Sequence, residues 1–383
     1  MDIFASFNAQ VNDLLQNICR KVQLTKTQFK FAEERYHAVS DWLSRETSFL
    51  SKVKLNIFPQ GSLRIGTTVR PINQEEFDLD LVCQMQINFK DYAPEYILST
   101  VAKRLKEDET YKDMMTVENR CIRLSYSGDF HLDIVPACPA NLSTSQGTGI
   151  VIPDKAKKIW RYTDPKGYAQ WFEQQKALTI KLAEARNIEP LPLDFDNERK
   201  APLQYCIQLM KRHRDVAFEK KDEEMVPKSI VINTLAAMAY KHEVSVNDSL
   251  TDILSDISNK IESAHPRIVI KNPVNSSEDI TEAWDRNMAA YDSFCEWIFI
   301  FKEKWQKVNS SKDMDTIAAL LQSMFGELVN TVIREQAERV AAARRLNKLG
   351  VSNGFSMLRF GDSTSSSAGF LGTTITHNTF FGD

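Results

Sequence analysis

The sequence lacks the cysteine and histidine patterns that mark a disulfide framework or a zinc site. Its six cysteines form no Cys-x-x-Cys motif, and no cluster of histidines accompanies any pair of them. We therefore expect neither disulfides nor a structural zinc ion, and we expect the cysteines to be small hydrophobic residues in a reducing compartment. They lie at positions 19, 83, 121, 138, 206 and 295.

Long apolar segments and an excess of one charge are also missing. No stretch approaches the ~18 residues needed to cross a bilayer, and the N-terminus has no basic region of the kind that begins a signal peptide. The net charge of −3 gives no overall basic bias, so a nucleic-acid partner is not required. The chain has 383 residues, 43% of them hydrophobic. We expect a cytoplasmic globular protein of one large or two modest domains, without a membrane partner.

Two carboxylates share one face of a short alternating segment. Residues 76–82 read Glu-Phe-Asp-Leu-Asp-Leu-Val, which is the pattern of a half-buried strand. Asp78 and Asp80 then point to one face, about 7 Å apart along the backbone, while Leu79 and Leu81 face a core. Carboxylates this close repel each other, and a divalent cation between them removes the repulsion. Oxygen ligands without His or Cys favour a hard ion, Mg²⁺ or Mn²⁺.

A third carboxylate lies on a second alternating segment. Residues 128–136 read Gly-Asp-Phe-His-Leu-Asp-Ile-Val-Pro, which places Asp133 on the same face as His131 and opposite the apolar residues. If this strand lies beside the first, Asp78, Asp80 and Asp133 converge. Three carboxylates can hold two cations about 3.5–4 Å apart, and such a pair clamps the attacking and leaving oxygens of a phosphoryl transfer.

A Gly-Ser turn precedes the first carboxylate segment. It consists of Gln60, Gly61 and Ser62 and follows an approach at residues 53–58. Gly61 allows the backbone to come close to a phosphate, and Ser62 offers a hydroxyl and a backbone N–H to a triphosphate. The turn, the paired carboxylates and the third carboxylate, in this order, predict a metal-dependent nucleotidyl-transfer site.

The periodicity predicts a part that contains a sheet, followed by a helical part. Residues 1–48 fit one or two amphipathic helices, and residues 63–73 a loop or short helix. Strands are predicted near 77–87, 121–126 and 130–136. Further helices are predicted at 93–106, 166–187, 200–219, 227–242, 247–263, 278–308 and 312–346. Residues 137–165 are rich in turn-forming residues, which predicts a loop beside the site.

This pattern indicates a two-lobed α+β fold. We expect a catalytic core with N-terminal helices at 1–165 and a helical lobe at 166–350 that completes a nucleotide cleft. Residues 351–383 hold many Gly, Ser and Thr, and this composition predicts a flexible tail.

Three motifs resemble those of the polymerase-β-like nucleotidyltransferases. They are Phe-Pro-Gln-Gly-Ser-Leu-Arg-Ile-Gly-Thr-Thr at 58–68, Phe-Asp-Leu-Asp at 77–80 and Leu-Asp-Ile-Val-Pro at 132–136. Segments at 163–172, 203–215 and 227–232 are similar to those of the bacterial relatives of cyclic GMP-AMP synthase and oligoadenylate synthase, the CD-NTases. The resemblance runs from about residue 58 to about residue 284. It implies a mixed sheet with an N-terminal spine helix and a C-terminal helical lobe.

The resemblance also implies phosphate-binding residues outside the carboxylate segments. It assigns Lys211 to the triphosphate and Ser229 to the same phosphates. From composition alone, Lys211 reads as a solvated residue of the basic run Lys-Arg-His-Arg at 211–214, and His213 as a helix-surface residue. The motif match favours the phosphate contact for Lys211.

The function implied by the resemblance is synthesis of a cyclic di- or trinucleotide from ribonucleoside triphosphates, ATP with ATP or GTP, with two Mg²⁺ or Mn²⁺ ions per site. In this family the product activates a downstream effector during phage infection. Some members also carry an exposed C-terminal tail that a companion system joins to regulatory or ligation partners, and Phe-Phe-Gly-Asp at 380–383 would be that end.

Two alternatives have less support. An RNA-extending transferase of the poly(A) or CCA type requires a basic RNA-binding face, which the acidic net charge does not indicate. A catalytically silent nucleotide-binding protein would be expected to have lost a carboxylate, and all three are present.

Overall fold

The computed structural model describes most of the chain. The described residues are 3–45, 49–72, 77–126, 128, 130–141, 147–185, 200–346, 348–352, 357–360 and 373–374. They divide into two compact units. The sheet unit contains the described residues of 24–173 and 271–278, and the helical unit contains those of 1–23, 174–270 and 279–383.

Helices and strands alternate in the first half of the chain, and helices dominate the second. The strands are β1 Leu55–Gln60, β2 Phe77–Met85, β3 Met115–Val117, β4 Ile122–Tyr126, β5 Phe130–Pro139, β6 Ile150–Asp154, β7 Ile159–Thr163, β8 Lys271–Asn272, β9 Asn275–Asp279, β10 Leu349–Ser352, β11 Met357–Phe360 and β12 Thr373–Thr374. The α-helices are α1 Ile3–Val22, α2 Lys26–Ser44, α3 Gly61–Arg64, α4 Pro94–Lys106, α5 Glu109–Met114, α6 Pro165–Ala185, α7 Pro202–Phe218, α8 Ser229–Ala239, α9 Val246–Ser263, α10 Met288–Ser310, α11 Met314–Phe325 and α12 Leu328–Arg345.

The sheet unit is built on a seven-stranded mixed sheet. The strand order is β1-β2-β5-β4-β3, with β6 paired to the far end of β5 and β7 paired to β6. The pair β2 and β5 is parallel, and the other pairs of this sheet are antiparallel. Residues of β2 and β5 that stand opposite each other in this parallel pair point to the same face of the sheet.

The alternation of β2 and β5 decides which face of the sheet is the core. Phe77, Leu79 and Leu81 of β2 are buried together with Leu132 and Ile134 of β5. Helices α2 and α4 pack their buried residues into the same hydrophobic cluster. On α4 these residues are spaced three and four apart, which puts them on one face of the helix. The acidic residues of β2 therefore lie on the face that this core does not use.

The helical unit packs α1 with α7, α9 and α12, and α10 with α9 and α11. Several of its helices begin at a side chain that accepts a backbone N–H. Ser245 caps α9, Asn287 caps α10 and Asp313 caps α11. Such a cap satisfies one of the N–H groups that a helix start leaves without a partner. No helix among the described residues is long and apolar enough to cross a membrane.

The mixed α+β class is confirmed, but several element predictions were wrong. The predicted loop at 137–165 contains the end of β5 and the hairpin of β6 and β7. The predicted helix 312–346 is two helices, because Gly326 has φ +87° between α11 and α12, a conformation that interrupts a right-handed helix.

The predicted helix 278–308 was also wrong at its start. Helix α10 begins only at Met288, and β9 and a short 3₁₀ turn precede it. The side chain of Arg267 donates to Asp279 at 3.0 Å, to Asp285 at 2.7 Å and to Thr281 at 2.9 Å. These contacts from a distant residue hold the segment in a non-helical course, which local periodicity does not show.

The C-terminal segment that was predicted to be a flexible tail is described only in part. The described residues form a three-stranded sheet of order β11-β10-β12. The stretch Phe-Phe-Gly-Asp at 380–383 lies outside the described residues.

Candidate active site

The structure brings the three predicted carboxylates onto one face of two neighbouring strands. In the parallel register of β2 and β5, Asp80 stands opposite Asp133 and Asp78 stands opposite His131. Leu79 and Leu132, which adjoin these acidic residues along the two strands, face the hydrophobic core. The three carboxylates therefore point away from that core. Asp133 is the most buried of the three, with 9% of its surface exposed.

An arginine that sequence reasoning missed lies among these carboxylates. Arg123 of β4 stands opposite Asp133 in the antiparallel register of β4 and β5. Its Nε donates to Asp133 Oδ1 at 2.8 Å, and its Nη2 donates to Asp133 Oδ2 at 2.7 Å. The same Nη2 lies 3.6 Å from Asp78 Oδ1. Hydrogen bonding to Asp133 raises the pKa of the guanidinium above its ordinary value.

The signal for Arg123 was present but ambiguous. Apolar and polar residues alternate over Ile122–Tyr126, and this alternation indicates that Arg123 is on the polar face of a strand. Nothing local says that β4 pairs with β5 rather than with β2. Cys121 lies near the carboxylate of Asp133. Burial is the main cause, and this carboxylate the second, that raises the pKa of the Cys121 thiol to about 12.

The donor set fits a hard divalent cation. The three side chains offer only carboxylate oxygens, which suit Mg²⁺ or Mn²⁺. Two of them already share one cationic partner in Arg123. Within the described part of the chain, no three His, Cys, Asp or Glu side chains are arranged as a ready cage for one ion. Each oxygen of Asp133 already accepts one hydrogen bond from Arg123, so a cation bound there would share these oxygens with the guanidinium.

The Gly-Ser turn lies directly against the carboxylates. Gln60, the last residue of β1, stands opposite Asp80 in the β1–β2 pairing. Gly61 has φ +66°, a region that L side chains avoid. A Cβ placed on Gly61 would overlap Asp80 Oδ2 and lie 3.1 Å from Asp80 Cγ. The glycine therefore makes room for the carboxylate itself, in addition to the predicted room for a phosphate.

The rest of the turn is held by its own hydrogen bonds. Gly61 opens the single helical turn α3. Thr68 Oγ1 donates to Ser62 Oγ at 3.2 Å, and the backbone N–H of Thr67 donates to the carbonyl of Ser62 at 2.9 Å. Ser62 is thus fixed beside the glycine with its hydroxyl still able to donate.

The motif at 163–172 has a structural role at the start of α6. Asp164 Oδ1 accepts from the backbone N–H of Gly167 at 2.8 Å, and Asp164 Oδ2 accepts from Thr148 Oγ1 at 2.9 Å. A side chain at Gly167 would collide with this carboxylate. The ammonium of Lys166 lies 4.0 Å from the ring centroid of Phe58 on β1. The motif therefore ties the helix start to the sheet.

Lys211 and Ser229 lie in the helical unit. Lys211 is on α7 and is buried, with 2% of its surface exposed, which excludes the solvated position expected from the basic run alone. Ser229 is the first residue of α8, and its Oγ accepts from Arg214 Nη1 at 3.0 Å. Arg214 also donates to Asp215 at 2.6 Å and to the carbonyl of Pro227 at 3.2 Å.

The expectation that His213 lies on the helix surface was wrong. His213 is buried on α7, and its Nδ1 accepts from Trp297 Nε1 at 2.7 Å. Its ring stacks on Phe301 with 3.9 Å between centroids. Burial, with a smaller effect of Lys304, lowers the pKa of His213 to about 3. The imidazole is therefore a neutral core residue that joins α7 to α10.

Four of the six cysteines are buried, as expected of small hydrophobic residues. All six are free thiols, with Cys19, Cys83, Cys138 and Cys206 buried and Cys121 and Cys295 partly exposed.

Comparison with known proteins identifies relatives along most of the chain. Residues 9–176 match the family model of the Second Messenger Oligonucleotide or Dinucleotide Synthetase domain. The chain is 32% identical over 361 residues to a c-di-GMP synthase of Roseivirga ehrenbergii, covering 92% of this chain and 93% of that protein. It is 25% identical over 352 residues to the cyclic dinucleotide synthase CdnG of Bradyrhizobium diazoefficiens, covering 85% of this chain and 82% of that protein.

A solved structure supports the same conclusion for the fold. The structure of the Bradyrhizobium CD-NTase CdnG in complex with GTP superposes with a TM-score of 0.70 at 21% identity, covering 85% of this chain and 98% of that one. The fold is that of the polymerase-β-like nucleotidyltransferases. More particularly, the chain belongs to the CD-NTase family of bacterial cyclic-oligonucleotide synthases. It is a nucleotidyltransferase that makes cyclic oligonucleotides from nucleoside triphosphates, and the family generally depends on divalent metal ions.

Proposed function

We propose that this enzyme joins two molecules of GTP into cyclic di-GMP. The observation that carries the proposal is the 32% identity to a c-di-GMP synthase across 92% of the chain. A second relative, CdnG, has been solved with GTP bound. The sequence analysis favoured ATP with ATP or GTP. That expectation included adenine in every product, whereas these relatives support a product made from GTP alone. Incorporation of adenine becomes an outcome of the test.

We assign the chemistry to Asp78, Asp80 and Asp133. What supports the assignment is the register that sets Asp80 opposite Asp133 on parallel strands, with Asp78 on the same face. Asp78 and Asp80 would hold the cation that carries the triphosphate, and Asp133 would complete a second site. Two divalent cations bound there would neutralise the phosphates and lower the pKa of the attacking hydroxyl.

The protein's own contribution is positioning and charge. The hydroxyl of one nucleotide attacks the α-phosphorus of the other, a P–O bond forms, and pyrophosphate leaves with the electrons of the broken bond. A second round between the remaining hydroxyl and triphosphate closes the ring. Asp133, which is buried, would accept the proton of the attacking hydroxyl.

We assign phosphate binding to the turn Gln60–Ser62 and to Lys211 and Ser229. The turn offers N–H and hydroxyl donors next to Asp80. Lys211 and Ser229 are assigned from their family motifs, and the hydrogen bond from Arg214 to Ser229 supports a cationic setting for that hydroxyl. A phosphate would be stabilised by these hydrogen-bond donors and by the positive charge of Arg214.

The biological part of the proposal follows from family membership. The product would act as a second messenger in antiphage defence, through a downstream effector that recognises it, in the cytoplasm. Conjugation of the C-terminal tail to a partner protein stays a prediction.

The test is a product assay on the purified full-length protein. Each radiolabelled ribonucleoside triphosphate is supplied alone and in mixture, with Mg²⁺ or Mn²⁺, and the products are treated with phosphatase and separated by chromatography. We expect one phosphatase-resistant product from GTP alone, with the mass of cyclic di-GMP, that does not change when ATP is added.

Asp80→Asn is the matched control because it keeps the shape of the side chain and removes its charge. We expect at least about a hundredfold lower turnover, since metal-assisted charge stabilisation supplies several kcal/mol to phosphoryl transfer, with an unchanged thermal unfolding temperature. Turnover equal to the parent enzyme would refute the assignment of the carboxylates. A product that requires ATP would refute the guanine-only proposal and leave the synthase activity intact.

A further inference from the structure

Both oxygens of Asp133 are engaged by one arginine. Arg123 Nε and Nη2 donate to the two carboxylate oxygens at 2.8 and 2.7 Å, and Nη2 also lies 3.6 Å from Asp78. The pair is two-pronged, which is the strongest arrangement between these two groups. The carboxylate is well shielded, with 12% of the Asp133 side chain exposed, compared with 34% for Arg123.

This pairing conflicts with a metal-binding role for Asp133. A carboxylate oxygen that accepts a short hydrogen bond from a guanidinium has only its remaining lone pair for a cation and has less charge to share with it. The guanidinium also brings a full positive charge close to Asp78, and a like charge disfavours a second cation nearby. Removing Arg123 altogether would leave the shielded carboxylate of Asp133 with two acidic neighbours and no counterion, which costs stability.

We propose that Arg123 is a positioning residue that serves as the internal counterion of Asp133 and competes with the divalent cation for it. The proposal rests on the assignment of Asp78, Asp80 and Asp133 as metal ligands. In the nucleotide-free enzyme Arg123 holds the carboxylate of Asp133 in one orientation, and it weakens cation binding on the Asp133 side. When a cation binds there, the guanidinium gives up one or both oxygens of Asp133.

The test is a titration with Mn²⁺ alone on nucleotide-free, full-length protein, in which the electron paramagnetic resonance signal of free Mn²⁺ reports binding. We expect Arg123→Gln to bind Mn²⁺ about three- to tenfold more tightly than the parent enzyme, because hydrogen bonds to charged groups are among the stronger ones that a competitor must break. We also expect the variant to unfold at a lower temperature in a chelator and to be stabilised more by Mn²⁺ than the parent is.

Arg120→Gln is the matched control. Arg120 is three residues earlier, donates through Nε and Nη2 to Asp154 at 3.1 and 2.9 Å, and is 43% exposed. The Arg120→Gln variant loses an arginine–carboxylate ion pair whose partner, Asp154, is not one of the three carboxylates. Its Mn²⁺ affinity should therefore equal that of the parent enzyme. In Arg123→Lys, which keeps the charge and loses the two-pronged geometry, we expect an intermediate affinity. This second variant also covers the case in which the glutamine variant does not fold.

The outcomes separate this proposal from the one that it rests on. If Asp80→Asn binds Mn²⁺ as tightly as the parent, the metal-ligand assignment fails. If Asp80→Asn loses Mn²⁺ binding but the Arg123 variants bind with unchanged or weaker affinity, the assignment holds and the competition is refuted. Equal tightening in Arg120→Gln would also overturn it, because the effect would then be one of general charge.

Discussion

A glycine beside the carboxylates allows the geometry of the site to be tested without removing any charged group. Gly61→Ala adds one methyl group to a residue with φ +66°. The backbone cost of a left-handed residue other than glycine is about 1–2 kcal/mol. Native proteins unfold with a free energy of about 5–15 kcal/mol, so this loss lowers the stability of the variant but leaves it folded.

The added methyl group acts mainly on Asp80. It would overlap Asp80 Oδ2 and lie 3.1 Å from Asp80 Cγ. Non-bonded carbon and oxygen atoms approach to about 3.3 Å, so the carboxylate oxygen has to withdraw by roughly 1 Å. Rotation of the short side chain can provide this shift without disturbing β2. A displacement of this size at a reacting centre can cost about a hundredfold in rate.

The measurement compares Gly61→Ala with Gly128→Ala. Gly128 has φ +82°, and a Cβ there meets no atom within 4 Å, so this control has the same type of backbone strain without the collision. We expect similar unfolding temperatures for the two variants. We expect about a hundredfold slower pyrophosphate release for Gly61→Ala and nearly unchanged release for Gly128→Ala.

Two results would refute this reasoning. Equal activity of the two glycine variants would mean that Asp80 need not hold its position. Loss of folding in Gly61→Ala alone would mean that the collision is absorbed by the backbone and not by the carboxylate.

Two further predictions concern α7. The folded pKa of His213 is about 3, below the ordinary 6.5. The unfolded chain therefore binds the extra proton first as the pH falls, and stability should drop by about 2 kcal/mol between pH 6.5 and 5. In His213→Gln, whose amide oxygen can still accept from Trp297, that part of the pH dependence should disappear from denaturant unfolding curves; an unchanged slope would contradict it. If Lys211 binds phosphate as proposed, Lys211→Met should raise the KM for GTP about tenfold or more, because it would remove a charge-assisted contact. Lys220→Met, at an exposed position, should leave the KM unchanged. Equal KM values for the two variants would exclude Lys211 from phosphate binding.

Local patterns predicted the strands that carry the acidic residues. The two-residue period of a strand is a property of the backbone, so Asp78 and Asp80 had to share a face wherever the strand lay. The same reasoning placed Asp133 opposite its apolar neighbours. These inferences needed only neighbouring residues, and the structure agrees with them.

Predictions failed where a distant contact decided the local structure. The segment before α10 has residues that suit a helix, yet Arg267 binds its polar groups and holds it in another course. His213 looks polar in the sequence, but Trp297, 84 residues later, donates to it in the core. No periodicity reports a partner that far along the chain.

The sequence by itself determined the types of donor, their alternation along the strands and the turn that precedes them, because covalent geometry and side-chain chemistry are local. Only the tertiary structure decided that β2 lies parallel to β5 and that β4 lies on the other side of β5. Strand pairing is set by burial of the whole sheet and not by any one strand. That pairing puts Asp80 and Arg123 on opposite sides of Asp133, and it gives Gly61 its second constraint, the carboxylate of Asp80.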